Sequence, residues 1–244
     1  MIRVSRSIVP NFFTVGNMFL GFMSVILVVL NRDLELAAWM IIFAAFLDAM
    51  DGKVARFTKT SSKFGVEYDS LADVVSFGMA PSVLIYAFYF FSWKTVGIFI
   101  SFFPLLFGSI RLARFNVQLV GFSKSHFNGL PSPMAAISLA SYIIFVTEYF
   151  PGRLFPKILL ILTLVTSTLM VSTIRYTVMP NLSFKGDVKQ KVQFVLIILA
   201  LISLIIFPQA LFFPYILGYM LSGLIKYVFN AGTGSGSGQA QQHK

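Results

Sequence analysis

The sequence predicts an all-α protein: a polytopic membrane bundle of about eight transmembrane helices with both termini cytoplasmic. Three observations carry this. The 244 residues are 57% hydrophobic and only 11% charged, too little polar surface to cover a soluble domain. The apolar residues gather into runs, several of them near the ~20 residues that a helix needs to cross a bilayer. The basic residues crowd into alternate connections, which sets an orientation.

In chain order, Met1 to Pro10 carries Arg3 and Arg6 among Ile2, Val4, Ile8 and Val9, the pattern of a short interfacial amphipathic helix. Apolar segments follow at about 12–31, 35–56, 65–91, 95–117, 131–150, 155–176, 190–207 and 209–229. Only Phe207-Pro208-Gln209 separates the last two, and a tight hairpin is preferred there to one broken helix. With the N-terminus inside, Arg32, Lys94, Arg153 and Lys157 fall outside, and the other 15 of the 19 basic residues fall on the cytoplasmic side. Residues 231–244, AGTGSGSGQAQQHK, lack any apolar pattern and look like an appended flexible linker. The expected organisation is therefore one membrane domain, 1–230, followed by a tail, 231–244. No cleavable leader is expected, because the first apolar run has a long amphipathic lead-in.

Composition also excludes some functions. The net charge of +10 is scattered between apolar runs, without a basic arm carrying interleaved aromatics, so nucleic acid is not the expected partner. Anionic lipid headgroups account for it better. Without cysteine there is no disulfide, thiolate nucleophile or thiolate metal site.

The chemistry concentrates in residues 48–73. Asp48 and Asp51 precede the polar segment Thr58 to Lys63, and Asp69 and Asp73 follow it. At spacings of three and four, each pair shares one helix face. If the two helices turn back through Phe57 to Phe64, Asp51 and Asp69 lie level, roughly 8 Å from the turn. Asp48 and Asp73 lie level about 12 to 14 Å from it. Four carboxylates converging in apolar sequence demand counter-charge, and an all-oxygen donor set favours Mg²⁺, Mn²⁺ or Ca²⁺. The stretch reads as a two-metal site. An EF-hand fails, because Met50 takes a ligand position and no Glu closes a twelve-residue loop.

The full pattern, Asp-x2-Asp-Gly-x2-Ala-Arg-x8-Gly-x3-Asp-x3-Asp, resembles the signature of the CDP-alcohol phosphatidyltransferases at every fixed position. The resemblance implies an intramembrane enzyme that displaces CMP from a CDP-lipid with the hydroxyl of a small alcohol. It implies two Mg²⁺ or Mn²⁺ ions on Asp48, Asp51, Asp69 and Asp73, with Asp73 at the position of the proton acceptor. It also implies a homodimer. The CDP-lipid contacts implied are Asn11 and Thr14 in Pro10-Asn11-x-x-Thr14, then Gly52, Arg56 and Ser62, with Gly65 in the same set. Gly52 would let the nucleotide approach the backbone, Arg56 offers a fork to phosphate, and Gly65 would allow close packing of the third span. For Asn11 and Thr14, helix capping is an equally simple reading.

Further marks, Asp69-Ser-Leu-Ala-Asp73-Val-Val-Ser-Phe-Gly78, Arg111-Leu-Ala-Arg114-Phe-Asn116 and Gly129-Leu-Pro-Ser-Pro133, resemble the branch of the family that makes phosphatidylserine. That branch implies CDP-diacylglycerol as donor and L-serine as acceptor. Serine's carboxylate would need a guanidinium partner, for which Arg111, Arg114 and Arg175 are the cytoplasmic-side candidates. Anchoring by snorkelling is the plainer reading of any one of them. Three rivals remain: the same chemistry on glycerol phosphate or inositol phosphate, an intramembrane prenyltransferase, and a divalent-cation transporter. An acceptor screen separates the first. A prenyltransferase usually holds its acidic motifs far apart in sequence. A transporter would place acidic ligands at mid-membrane on broken helices, away from an arginine.

Overall fold

The computed structural model describes residues 8–30, 33–58, 63–118, 126–177, 197–200 and 202–232. Helix α1 is Ile8–Val29, α2 Leu34–Thr58, and α3 Lys63–Asp73. A π-helical turn, Val74–Met79, joins α3 to α4, Ala80–Phe88, as one continuous rod. After a 3₁₀ turn, Phe90–Trp93, come α5 (Lys94–Gln118), α6 (Ser132–Tyr149), α7 (Pro156–Val171) and α8 (Pro208–Gly232). Residues 197–200 and 202–206 are also helical.

Among the described residues, four stretches are long and apolar enough to cross a membrane: Phe12–Val29, Phe64–Phe88, Phe90–Val117 and Pro208–Phe229. Helix α2 is as long as α5, but Glu35, Asp48, Asp51 and Lys53 interrupt its apolar run. Large apolar side chains such as Phe19, Phe22, Phe46, Phe99 and Ile225 are exposed around the bundle, as lipid-facing residues of an integral membrane protein are.

Lipid gives helices no hydrophobic reason to associate, so small residues and hydrogen bonds hold them together. The face of α2 formed by Ala37, Ala38, Ile41, Ala44 and Ala45 is buried, and so are Ala135, Ala136, Leu139, Ala140 and Ile143 of α6, against which α2 packs. The spacing of both sets is one helix face, and alanines let the two backbones approach. Helix α1 packs on the other side of α2 and crosses the π-helical turn. At that crossing Gly21 abuts Ser76 so closely that any Cβ would overlap it, and Ser76 Oγ donates to Asn17 O at 2.9 Å. Pro104 lies inside α5, where it lacks an N–H and breaks the ladder. The neighbouring Leu105 N–H donates to Ser82 Oγ on α4 at 3.1 Å, so the disruption is bridged by another helix.

The fold is of the expected all-α class, with one local addition, a short two-stranded antiparallel ribbon of His126–Asn128 (β1) with Arg175–Thr177 (β2). The expected sixth segment accordingly stops at Val171, five residues early, because the chain turns out to pair. Gly129 follows β1 with φ +82°, a conformation that disfavours a side chain, and a Cβ there would strike the Met170 carbonyl. Its N–H donates to Ile174 O, and that of Leu130 to Leu169 O, each at 2.8 Å. The Gly129-Leu-Pro-Ser stretch is thereby fastened to the end of α7. At the last two segments, Ser203 Oγ and Tyr215 Oη are 2.9 Å apart. In a straight helix those residues would stand about 18 Å apart along the axis, so the chain bends sharply at Phe207.

Candidate active site

The second half of α2 supplies Asp48 and Asp51 and the last two turns of α3 supply Asp69 and Asp73, each pair on one face as its spacing predicts. Carboxylate oxygens of Asp48, Asp69 and Asp73 all lie within 4.8 Å of one another. Asp51 stands beside this triad: its charge acts on both Asp48 and Asp69, while its Oδ2 accepts a hydrogen bond from Thr14 on α1. The expected four-fold convergence is therefore a triad with a neighbour. Asp51 and Asp73 are buried, and Asp48 and Asp69 are half-buried.

Among the described residues, two buried oxygens here have no hydrogen-bond partner, Oδ1 of Asp69 and Oδ1 of Asn17. An unpaired buried carboxylate oxygen costs free energy unless something positive meets it. Three converging carboxylates and an orphan oxygen, with no nitrogen or sulfur donor in the group, fit a hard divalent cation.

Asn17, one turn beyond Thr14, donates from Nδ2 to Asp73 Oδ1 at 3.4 Å. Its position in the sequence assigns it no role, since its partner is 56 residues away. The π-helical turn begins directly after Asp73, a distortion that recurs at functional sites. Arg111 of α5, nine-tenths buried, is near enough for its charge to act on that of Asp73. Arg111 Nη1 donates to Ser132 Oγ at 3.2 Å. Arg114, one turn on, is exposed and donates to Val171 O, the last carbonyl of α7, at 2.9 Å. It ends a helix in the manner of a basic C-cap.

Among the expected CDP-lipid contacts, Thr14 is buried and bonded to Asp51. Gly52 lies exposed on α2, and a Cβ there would meet nothing within 4 Å. Its lack of a side chain is therefore not demanded by internal packing. Gly65 is half-buried near the start of α3. Asn11, Arg56 and Arg175 belong to described backbone in α1, α2 and β2, but their side chains lie outside the described set, as does Ser62 altogether. Nothing in the sequence assigns a role to Ser70 or Asn116. Asn116 Nδ2 donates to Ser70 Oγ at 3.0 Å and to Glu67 Oε2 at 3.3 Å, tying α5 to α3 beside Asp69.

Residues 7–169 match the family model described as CDP-alcohol phosphatidyltransferase. The chain belongs to that family. Among curated relatives, the CDP-diacylglycerol–serine O-phosphatidyltransferase of Helicobacter pylori strain J99 is 36% identical over 222 residues, 90% of this chain and 91% of the relative. That of Bacillus subtilis strain 168 is 33% identical over 168 residues, 69% of this chain and 89% of the relative. An archaetidylserine synthase of Methanothermobacter thermautotrophicus is 34% identical over 169 residues, 68% of each chain.

Proposed function

We propose that this protein is a phosphatidylserine synthase: CDP-diacylglycerol and L-serine give phosphatidylserine and CMP. The carrying observation is the aspartate triad with its orphaned oxygen, set in a family member whose relatives are named for this reaction along nine-tenths of the chain.

Asp48, Asp69 and Asp73, with Asp51 beside them, would hold Mg²⁺ or Mn²⁺, two ions in the family pattern. The chemistry bound ions supply is neutralisation of the pyrophosphate charge, including that which develops on departing CMP. Thr14 orients Asp51 through its hydroxyl. The open side of Gly52 leaves room for the nucleotide at the α2 backbone, and Asn11, Arg56, Ser62 and Gly65 complete the proposed CDP-lipid set. Asp73 is the base. Its Oδ1 accepts from the Asn17 amide, and the charge of Arg111 acts on it. The serine hydroxyl attacks the phosphorus that bears diacylglycerol. An O–P bond forms, the bond from that phosphorus to the bridging oxygen of CMP breaks, and Asp73 takes the hydroxyl proton. No covalent enzyme intermediate is required. The site faces the cytoplasm, where serine is drawn, and the acyl chains remain in lipid. About eight spans, both termini inside, a domain ending near residue 230 and a homodimer complete the reading.

The test is Asp73→Asn against Asp51→Asn. Asp73→Asn should still bind CDP-diacylglycerol in the presence of metal yet transfer it at least about 100-fold more slowly. Asp51→Asn should lose metal-dependent CDP-lipid binding as well. Near-normal single-turnover rates in Asp73→Asn would remove it as the base.

A further inference from the structure

The acceptor side holds a feature that the aspartates do not explain. Arg111 is nine-tenths buried, yet among the described residues its Nε has no hydrogen-bond partner. A buried guanidinium N–H left unpaired carries a desolvation cost, so a molecule that satisfies it is bound at an advantage. The orientation of the fork is fixed. Nη1 is held by Ser132 Oγ, itself 1% exposed, which leaves the Nε–H as the unpaired donor of the fork among the described residues.

Ser132 is the first residue of α6, an 18-residue helix. Its N-cap is Pro131, which supplies no side-chain hydrogen bond to the first turn, so no side chain from the cap position competes for the positive end of the helix dipole. Arg111 is thus aimed at an uncapped helix N-terminus, and both favour an anion. That N-terminus is held in place by the Gly129 and Leu130 hydrogen bonds to the end of α7. Tyr219 of α8, on which the charge of Arg111 also acts, packs on Tyr176 with ring centroids 5.4 Å apart.

Resting on the phosphatidylserine reading, we infer that the Nε edge of Arg111, backed by Ser132 and the α6 N-terminus, is the seat of the acceptor's carboxylate. Serine carries its hydroxyl and carboxylate on neighbouring carbons. A molecule whose hydroxyl meets Asp73 therefore brings its carboxylate toward the arginine beside Asp73. It enters from the side where Asp48 and Asp69 are only half-buried. Planar bidentate pairing suits guanidinium and carboxylate, and a neutral amide in the carboxylate's position would leave the fork unsatisfied. Ser132 is a positioning residue here, acting through Arg111. Arg114, spent on the α7 carbonyl, takes no part.

The experiment compares L-serine with L-serinamide as acceptors for the full-length protein, with CDP-diacylglycerol in mixed micelles. The wild type should favour L-serine by at least about 100-fold in kcat/KM, since sites built for a charged hydrogen bond reject analogues that leave it unpaired. Arg111→Lys should lower that preference about ten-fold or more, whatever it does to absolute rate. Ser132→Ala should raise the serine KM several-fold with the CDP-diacylglycerol KM unchanged, and Ser132→Thr should restore it. If the wild type makes phosphatidylserine but uses serinamide comparably, the carboxylate seat is wrong and the reaction stands. If it makes no phosphatidylserine at all, both fail. The wild-type comparison decides even if a variant does not fold.

Discussion

At the scale of single residues, the aspartates are legible in the sequence because three or four positions along a helix suffice to put two side chains on one face. Their helpers are not. Asn17 meets Asp73 across 56 residues and Ser132 meets Arg111 across 21, separations over which sequence spacing carries no geometry. The structure also divides the expected set of arginines, since Arg111 is buried beside Asp73 and Arg114 is exposed on a helix end. Gly52 provides a sharp test. A Cβ added at this position would meet nothing within 4 Å, so Gly52→Ala should be accommodated in α2. It should raise stability by up to ~1 kcal/mol, the helix-propensity difference. If the nucleotide approaches that backbone, the same methyl should raise the CDP-diacylglycerol KM about ten-fold or more. Thermal unfolding and KM measured together decide it, and an unchanged KM would mean that the nucleotide lies elsewhere. Thr14→Val keeps the shape but removes the donor to Asp51. It should raise the Mg²⁺ concentration for half-maximal activity several-fold, leaving the rate at saturating Mg²⁺ within a few-fold of wild type. Loss of activity that no Mg²⁺ concentration restores would assign Thr14 to substrate instead.

Helices and connections show a different boundary between what sequence reveals and what it hides. Apolar runs mark the helices to within a few residues, because about 20 apolar positions have one use in a bilayer. The ribbon has no such signature, since three-residue strands are too short for alternation to appear. The π-helical turn is hidden too, as nothing in Val74–Met79 departs from an ordinary apolar helix until Gly21 and Ser76 are seen in contact. Gly129→Ala should therefore be costly: it combines positive φ with a collision against backbone, and a loss of about 1–3 kcal/mol is expected. Chemical denaturation would register it, and a stability equal to wild type would mean that the β1–α6 corner relaxes freely. Asn116 offers the corresponding test of α3. Its amide links α5 to Ser70 and Glu67, so Asn116→Leu should let α3 rotate and blunt the alignment of Asp69 and Asp73 with Asp48. The expected sign is a higher Mg²⁺ requirement, with the serine KM little changed. A change confined to the serine KM would place Asn116 with the acceptor instead.

For the whole molecule, orientation in the bilayer is the property that links chemistry to substrate supply. The aspartates belong to the α2–α3 end of the bundle, and the proposed arrangement turns that end toward the cytoplasm because 15 of 19 basic residues then lie inside. The rule acts through retention of positive charge, so it speaks to loops close to the spans and is indifferent to acidic residues such as those of the site. The chain contains no cysteine, which permits a direct measurement without first removing native thiols. Single cysteines at Lys94, the first residue of α5, and at Arg153, between α6 and α7, should be labelled by a membrane-impermeant maleimide added outside intact cells. Cysteines at Lys63 and Lys226 should react only after the membrane is permeabilised. These pairs bracket the bundle at both surfaces, so no single misplaced loop can imitate the result. The opposite labelling of Lys63 would put the aspartates on the outer face, away from cytoplasmic serine and CDP-lipid, and the proposed direction of substrate entry would fail with it.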